Sequence, residues 1–554
     1  MQEINWIELI LSFLGGFGLF LFGMEYMGEG LQKTAGSKMK NLLGALTRNR
    51  FKGVLVGAGV TAIVQSSSAT TVMIVGFVNA GLMSLKQAVG VIMGANIGTT
   101  ITAWIVSLGE WTEFLKPSTL APACIIIGVI LMMGTKDAKI KSVGQILFGF
   151  GGLFLGLDMM SGAAKPLSKL EEVKNIFLLL GKNPILGILA GAVVTAIIQS
   201  SSASVGILQV LALEGLVPWS SAIYIILGQN IGTCITAILS SLNAGTNAKR
   251  AAFIHFLFNV IGSVIFMVIA IITFQFVLPV YQSIIIDVTN ISIVHTTFNV
   301  LNTLILFPFA GALVDLAEKV IKEGKQSEGL KESHLDERII ETPAFAIESA
   351  IKEAVIMGEM ASYNVKQAIG GLFDQNQSVL NSVFDKEREI NQMQENINNF
   401  LIKLSNASLS ETEQLTVTGL FHMVSDIERV GDHADNIGEL GMGLYEQEVE
   451  ISEWAKKELK EISDIAIRCF DLAISGYKLK DEEKMNEVIK LERDVDVLEE
   501  KMREAHIKRL VEEKCNAISG IIFLDTISNI ERISDHASNI AMLVIDKNGL
   551  MTGN

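Results

Sequence analysis

The sequence predicts an all-α fold in two parts: a polytopic membrane region built from inverted span–hairpin–span repeats, then a pair of three-helix bundles. Three observations predict it. Half of the 554 residues are hydrophobic and the mean hydropathy is +0.43, too apolar for an ordinary soluble chain of this length. The long apolar stretches end near Leu313, and from Glu318 the chain turns charged. Each part also carries its own internal duplication. These patterns divide the chain into a membrane region 1–321 with repeats 12–108 and 146–242, a polar linker 322–342 and a helical region 343–554.

Composition excludes several classes. The net charge of −15 sits mainly in the second part without basic clusters, which argues against a nucleic-acid partner. Cys124, Cys234, Cys469 and Cys515 lack metal-ligand or redox spacing and read as small buried hydrophobes. The chain start lacks a basic n-region and a cleavage site, so its first apolar stretch is expected to stay as an anchor.

The apolar segments run over 6–30, 53–80, 86–108, 117–134, 143–161, 184–213, 219–242, 251–281 and 291–314. Most can cross ~30 Å of hydrocarbon as a helix. Loop charge orients them. The loop 31–52 holds Lys33, Lys38, Lys40, Arg48, Arg50 and Lys52, and the loops around Lys136–Lys141 and Lys249–Arg250 are also basic. The loop bearing Asp287 is acidic. All three basic loops become cytoplasmic only if 53–80 and 184–213 are re-entrant hairpins. Seven spans then remain in the cell membrane, with the N-terminus outside and the C-terminal region in the cytoplasm. Irregular backbone at membrane depth is tolerated only where it is buried in protein or lines a wet cavity, so the hairpins mark a functional locus.

Segment 53–108 aligns without gaps on 187–242 at an offset of 134. Gln65-Ser66-Ser67-Ser68-Ala69 falls on Gln199-Ser200-Ser201-Ser202-Ala203, Asn96-Ile97-Gly98-Thr99 on Asn230-Ile231-Gly232-Thr233, and Gly18-Leu19-Phe20-Leu21 on Gly152-Leu153-Phe154-Leu155. Three crossings separate the hairpins in this topology. That number is odd, so the second copy is inverted, an arrangement that places a transporter's site at the repeat interface.

A Gln and three Ser in an apolar segment cost a few kcal/mol each unless paired. Small residues for close helix packing explain one or two of them, but not the whole set twice, followed by Thr70 and Ser204. A hairpin tip exposes a helix start, whose free N–H groups and positive dipole end form an anion site. Hydroxyls and unwound carbonyls beside it are hard oxygen ligands for a small cation. Gly94, Gly98, Gly228 and Gly232 would permit helix breaks next to Asn96, Thr99, Asn230 and Thr233. His255-x-x-Phe258-Asn259 recurs as His295-x-x-Phe298-Asn299, with His and Asn on one helix face. These residues either orient the hairpins by hydrogen bonding or carry protons. Residue chemistry alone thus reaches an oxyanion with a small cation.

The paired Gln-Ser-Ser-Ser and Asn-Ile-Gly-Thr motifs resemble those of the type II sodium–phosphate cotransporter family over roughly residues 10–315. The resemblance implies inorganic phosphate as substrate and sodium as coupling ion. Gln65, Ser66, Ser67, Ser68, Gln199, Ser200, Ser201 and Ser202 would be the ligands. Ala69, Thr70, Asn96, Thr99, Ala203, Ser204, Asn230 and Thr233 would bind sodium or support the site.

The second part shows amphipathic helical spacing over 343–370, 385–406, 412–445, 452–479, 483–510 and 514–547. Asp426-Ile427-Glu428-Arg429 through Asp432-His433-Ala434-Asp435-Asn436 recurs from Asn529 through Asn539 at an offset of 103, which gives two three-helix bundles. The motif resembles that of the PhoU family of phosphate-uptake regulators. Glu428, Asp432 and Asp435 would face Glu531 and Asp535, where Ser538 replaces the third acid. Spacing beside Arg429 and Arg532 reads as an ion-paired helix face; the resemblance adds a divalent or iron metal as the alternative. A homo-oligomer or a regulatory partner would engage this region. Three other readings stay open: an exporter, a phosphate-sensing receptor that transports little, and an intramembrane serine hydrolase. The last lacks a Gly-x-Ser-x-Gly elbow, and duplicated serines suit a two-fold site better than one nucleophile.

Overall fold

The computed structural model describes residues 5–44, 49–111, 117–242, 244–322, 335–340, 342–407, 409–512 and 516–551. Cys515 and most of the polar linker lie outside the described residues. The chain divides into two compact units, Met1–Glu332 and Ser333–Asn554.

The first unit contains α1 (Trp6–Gly44), α2 (Arg50–Val64), α3 (Ser67–Asn79), α4 (Leu85–Trp111), α5 (Pro117–Gly134), α6 (Ala138–Ala164) and α7 (Glu171–Lys182). It continues with α8 (Pro184–Ile198), α9 (Ser201–Leu213), α10 (Trp219–Gly232), α11 (Cys234–Ser241), α12 (Thr246–Ile272), α13 (Val288–Leu306) and α14 (Ala310–Val320). Six stretches of the described residues are long and apolar enough to cross a bilayer: Trp6–Ala35, Leu85–Leu108, Ala138–Lys169, Trp219–Ser241, Thr246–Val277 and Val288–Val320. The chain is thus a multi-pass membrane protein. The remaining expected span is α5, whose 18 residues make ~27 Å of helix.

The two polar-centred segments are not spans but helical hairpins. Gly90 packs on Arg50, Gly94 on Val54 and Gly98 on Ala58, so α2 and α4 run parallel with their starts side by side. Only residues 80–84 separate the end of α3 from the start of α4. The chain therefore climbs along α2, reverses at Gln65, and returns along α3 to the level where it entered. The second copy repeats this, with Gly228 on Ile188 and Gly232 on Ala192.

Helices α1 and α6 are repeat counterparts, and they pack antiparallel. Gly16 meets Gly156, Gly23 meets Gly149 and Leu153, and Gly30 meets Ser142 and Ile146. Counterparts that run in opposite directions make the duplication an inverted one. The same two-fold relates α12 to α13. Ser263 Oγ donates to the Leu227 carbonyl at 3.1 Å, and Thr303 Oγ1 to the Met93 carbonyl at 3.4 Å. Leu227 is the counterpart of Met93, while Ser263 and Thr303 differ by the 40 residues that separate the two His-x-x-Phe-Asn motifs.

Three local readings are corrected. Lys33 through Gly44 continue α1 as helix rather than forming a loop, since Lys, Gln and Met are good helix formers once past the apolar stretch. Gly94 and Gly98 do not break α4, which runs continuously from Leu85 to Trp111. They instead let the backbones of α2 and α4 touch: a Cβ at Gly98 would lie 2.5 Å from the Ala58 carbonyl oxygen. In the second copy the helix is interrupted only at Thr233, which keeps helical dihedrals. Residues 171–182, which fall between the expected apolar segments 143–161 and 184–213, form the amphipathic α7, bent by 112° from α8.

The second unit holds α15 (Pro343–Asp374), α16 (Gln377–Ser405), α17 (Glu411–Glu446), α18 (Glu453–Leu479), α19 (Glu482–Val511) and α20 (Ala517–Met551). Helices α15–α17 pack as one three-helix bundle, α18–α20 as a second, and α17 meets α20 between them. Helix α16 starts eight residues before the expected 385, because Asn376 caps it by accepting from the Ser378 and Val379 amides.

Candidate functional site

Each hairpin tip is built the same way. Gln65 ends α2 in the left-handed region at φ 57°, and Gln199 ends α8 at φ 59°. A non-glycine residue held there costs on the order of 1 kcal/mol, and this chain accepts it at both copies of one motif. Ser66 and Ser200 follow as N-caps, their Oγ atoms accepting from the Ala69 and Ala203 amides at 3.1 and 3.2 Å. The amides of Ser67, Ser68, Ser201 and Ser202 lie in first helical turns, where they have no intrahelical partner.

The two tips meet. Ser67 Oγ and Ser201 Oγ lie 3.4 Å apart, both buried. These residues are repeat counterparts, so their contact sits on the pseudo-two-fold axis. Ser68 Oγ donates to the Gln199 carbonyl at 3.0 Å, crossing from one hairpin to the other. The starts of α3 and α9 thus converge from opposite sides. Each carries about half a positive charge, and no cationic side chain is part of either motif. Two like dipole ends facing each other are held together favourably by an anion between them.

Of the supporting residues expected from sequence, Asn96 donates to Asn259 at 3.5 Å and so ties α4 to α12. Asn230, Thr99 and Thr233 bond the carbonyls of Ile226, Ala95 and Gln229 in their own helices and do not reach the tips. Thr70 bonds the Ser66 carbonyl at 2.9 Å. Ser204 accepts from Thr195 at 2.8 Å and from Gln229 at 3.0 Å, which braces the second hairpin. The residue that does reach the tips is Thr102. Its hydroxyl donates to Gln65 Oε1 at 3.0 Å and accepts from Ser202 Oγ at 3.3 Å, linking both motifs. The signal for it lay in the recurrence of Ile-Thr-Ala at 101–103 and 235–237, although Thr236 bonds the Thr233 carbonyl instead.

His255, Asn259, His295 and Asn299 are all buried. Asn259 and Asn299 donate to the carbonyls of His255 and His295 at 3.1 and 2.9 Å. Among the described residues, neither imidazole has a hydrogen-bond partner on either nitrogen. The rings therefore do not orient the hairpins by hydrogen bonding.

The two copies are not in the same environment. Gln65 is 5 % exposed, whereas Gln199 is exposed. The difference traces to the counterparts Gly28 and Gly162. A Cβ at Gly28 would lie 2.8 Å from the Val64 carbonyl oxygen and 3.6 Å from Gln65 Cβ, so α1 closes on the first tip. A Cβ at Gly162 would meet no described atom within 4 Å. At the second tip Gln199 is thus uncovered, while Ser201 and Ser202 beside it are buried.

In the second unit the acids gather within each bundle rather than across. Glu428, Asp432 and Asp435 join Glu387 of α16, a residue not singled out from sequence although Glu387-Arg388-Glu389 echoes Glu492-Arg493-Asp494. Glu387 is 6 % exposed, and its carboxyl lies beside that of Asp432. Burial, then the charges of Asp432, Asp435 and Glu428, push its carboxyl up to about 8. In the other bundle, Glu492, Asp496 and Asp535 offer oxygens mutually within 4.8 Å, a geometry open to a metal ion. Glu531 lies beside this trio, its carboxyl raised by burial and then by Asp535. Between the bundles, His433 Nδ1 pairs with Asn529 at 2.8 Å and His536 Nδ1 with Asp426 at 2.9 Å, around stacked imidazoles 5.6 Å apart. What meets across the two-fold is therefore this His pair with Asn529 and Asp426, and not Glu428, Asp432 and Asp435 against Glu531 and Asp535. Acids on successive turns of α17 and α20 point at the neighbouring helix of their own bundle.

Comparison with known proteins agrees with this division. Residues 19–162 and 166–286 match the family described as Na+/Pi-cotransporter, and residues 355–441 and 459–544 match the PhoU domain. A Salmonella typhimurium protein named "Putative inorganic phosphate export protein YjbB" is 24 % identical over 97 % of this chain and 98 % of its own length. The Bacillus subtilis protein YqeW, uncharacterized, is 35 % identical over 46 % of this chain and 80 % of its own length. A sodium-dependent phosphate transport protein 2A of Ovis aries is 38 % identical over 20 % of this chain and 18 % of its own length.

Proposed function

Because the chain belongs to the Na+/Pi-cotransporter family and carries a PhoU domain in its second unit, we propose that it is a sodium-coupled transporter of inorganic phosphate. It is not an enzyme. The observation that carries the reading is the 3.4 Å approach of Ser67 to Ser201, which brings two helix N-termini together on the repeat axis. A tetrahedral oxyanion between them takes hydrogen bonds from first-turn amides and serine hydroxyls. Neutral donors hold it without a fixed ion pair and so allow release. The carbonyl ends of α2 and α8 lie beside the same point, and their negative dipole ends suit sodium there.

Transport proceeds by exchange of the two non-equivalent environments. In the state described here α1 covers Gln65 and leaves Gln199 exposed; in the alternate state α6 covers Gln199 and Gln65 opens. The sodium dependence named for the ovine relative supports the coupling ion. Export is the second reading, favoured by the name of the Salmonella relative, which is similar along both units. The basic residues between Lys33 and Lys52 and near Lys139 orient the chain in the cytoplasmic membrane with the N-terminus outside and the PhoU part in the cytoplasm. That part regulates flux, and its Glu492–Asp496–Asp535 trio takes a divalent or iron ion.

Equilibrium binding of radiolabelled phosphate to the purified chain in sodium chloride tests the site. Replacing both Ser67 and Ser201 by alanine removes two hydrogen bonds to a charged ligand, ~1.5 kcal/mol or more each, so affinity should fall about a hundredfold. Unchanged affinity would place the anion elsewhere.

A further inference from the structure

Ten residues after Gln199, Gln209 of α9 sits in a polar knot that the transport reading does not use. It is fully buried. Its side-chain nitrogen lies 3.1 Å from the Ala103 carbonyl, 3.4 Å from Ser107 Oγ, 3.4 Å from the Val288 carbonyl and 3.0 Å from Ser292 Oγ. An amide nitrogen has two hydrogens to offer, yet four oxygens crowd it. Its own Oε1 is buried and without a partner among the described residues. The two serine hydroxyls lie 2.6 Å apart, and Ser292 Oγ also lies 2.9 Å from the Ala103 carbonyl. All five potential ligands are oxygens, none is charged, and they come from three helices: α4, α9 and α13.

We propose that this knot is a sodium site separate from the two Gln-Ser-Ser-Ser-Ala tips. The ion would occupy the position of the amide nitrogen, held by the carbonyls of Ala103 and Val288 and the hydroxyls of Ser107 and Ser292. Turning the Gln209 amide brings Oε1 in as the fifth oxygen and relieves its unpaired state. Hard oxygens with no nitrogen or sulfur ligand select an alkali or alkaline-earth ion. A cage without a carboxylate leaves a divalent charge uncompensated in the low-dielectric interior, which favours the monovalent ion. Asp287, exposed and adjacent to Val288, caps α13 and offsets the positive dipole of this helix start with its negative charge. The counterparts of Ser107, Gln209 and Ser292 are Ser241, Val75 and Ala252, so the opposite half has no such set. One extra ion therefore binds per chain, and it ties the second hairpin to α4 and α13.

The inference rests on the proposal that sodium is the coupling ion, and the experiment separates the two. Equilibrium binding of radioactive sodium is measured without phosphate on the purified full chain bearing Gln65→Ala and Gln199→Ala, which weakens the tip sites. About one sodium per chain should remain. Adding Ser292→Ala should lower its affinity at least tenfold, and Gln209→Leu should abolish it. Gln209→Glu, which supplies the missing charge, should tighten it about tenfold. Melting temperature in choline chloride reports whether each variant is folded, and Ser292→Ala with Gln209→Glu decides the matter if the leucine variant is not. Absence of bound sodium in the Gln65→Ala, Gln199→Ala background, or binding that ignores Ser292→Ala and Gln209→Glu, overturns the site and leaves a purely structural knot. Loss of sodium-driven phosphate uptake by the wild-type chain would instead count against the coupling proposal.

Discussion

The most discriminating perturbation of the alternating mechanism is a matched pair of substitutions at repeat counterparts, Gly28→Val and Gly162→Val. In the state described here, a side chain at 28 drives into the Val64 carbonyl at 2.8 Å, whereas one at 162 meets open space. Overpacking of this kind costs ~1–3 kcal/mol. Valine at 28 should therefore shift the population toward the alternate state by a factor of about 5–150. Valine at 162 costs nothing here but meets Ile198 and Gln199 once α6 closes, so it should shift the population the opposite way by a similar factor. Double electron–electron resonance between nitroxides at Met159 and Ile197, both exposed, reads the separation of α6 from the second hairpin. The long-distance fraction should grow in Gly162→Val and shrink in Gly28→Val, with phosphate uptake slowed in both. Shifts in the same direction, or none with both variants folded, would refute the claim that these glycines are equivalent docking points in two states.

Other outcomes follow from the same geometry. Thr102→Val removes the hydroxyl that joins Gln65 to Ser202 and should weaken phosphate binding about tenfold by calorimetry, while Thr236→Val, whose hydroxyl bonds the Thr233 carbonyl, should not. The Glu387 carboxyl is raised from 4.5 to about 8, so the fold holds a proton that the unfolded chain releases. The stability this group contributes is full below pH ~4.5 and is lost as pH rises through about 8. In the metal-free second unit, Glu387→Gln should remove that decline, seen as a flatter melting temperature between pH 6 and 9 than in the wild type. Stripping metal with a chelator should lower the melting temperature of the second unit, and Glu492→Gln should make it insensitive to the chelator; equal sensitivity in both would argue against the trio as a metal site.

The hairpins were legible because a Gln and three Ser cannot sit unpaired in an apolar span, and loop charge then fixed their reversal. The inversion was legible from the 134-residue offset together with that topology. What could not be read was backbone geometry set by packing. Gly94 and Gly98 look like break points in one dimension, yet their role is to let α2 lie against α4, which needs the partner helix to be seen. Gln65 and Gln199 adopt a left-handed conformation that sequence assigns to glycine. Helix α7 was hidden by its length of 12 residues, although Glu171 and Glu172 at its start and Lys182 at its end carry the expected charge pattern. In the second unit the repeat located the acids, but only the third helix of each bundle decides which acids meet, and so Glu387 and Asp496 went unnoticed. Gln209 has no motif at all; it is significant only because α4 and α13 converge on it.

The central claim is that phosphate and sodium move together through the paired hairpins. Uptake of radiolabelled phosphate into proteoliposomes holding the purified chain tests it most directly, with an inward sodium gradient compared against choline at equal ionic strength. The account predicts phosphate accumulation above the external concentration that collapses when the sodium gradient is dissipated and is lost in Gln65→Ala and Gln199→Ala. Uptake that proceeds equally in choline, or that survives both substitutions, would contradict it.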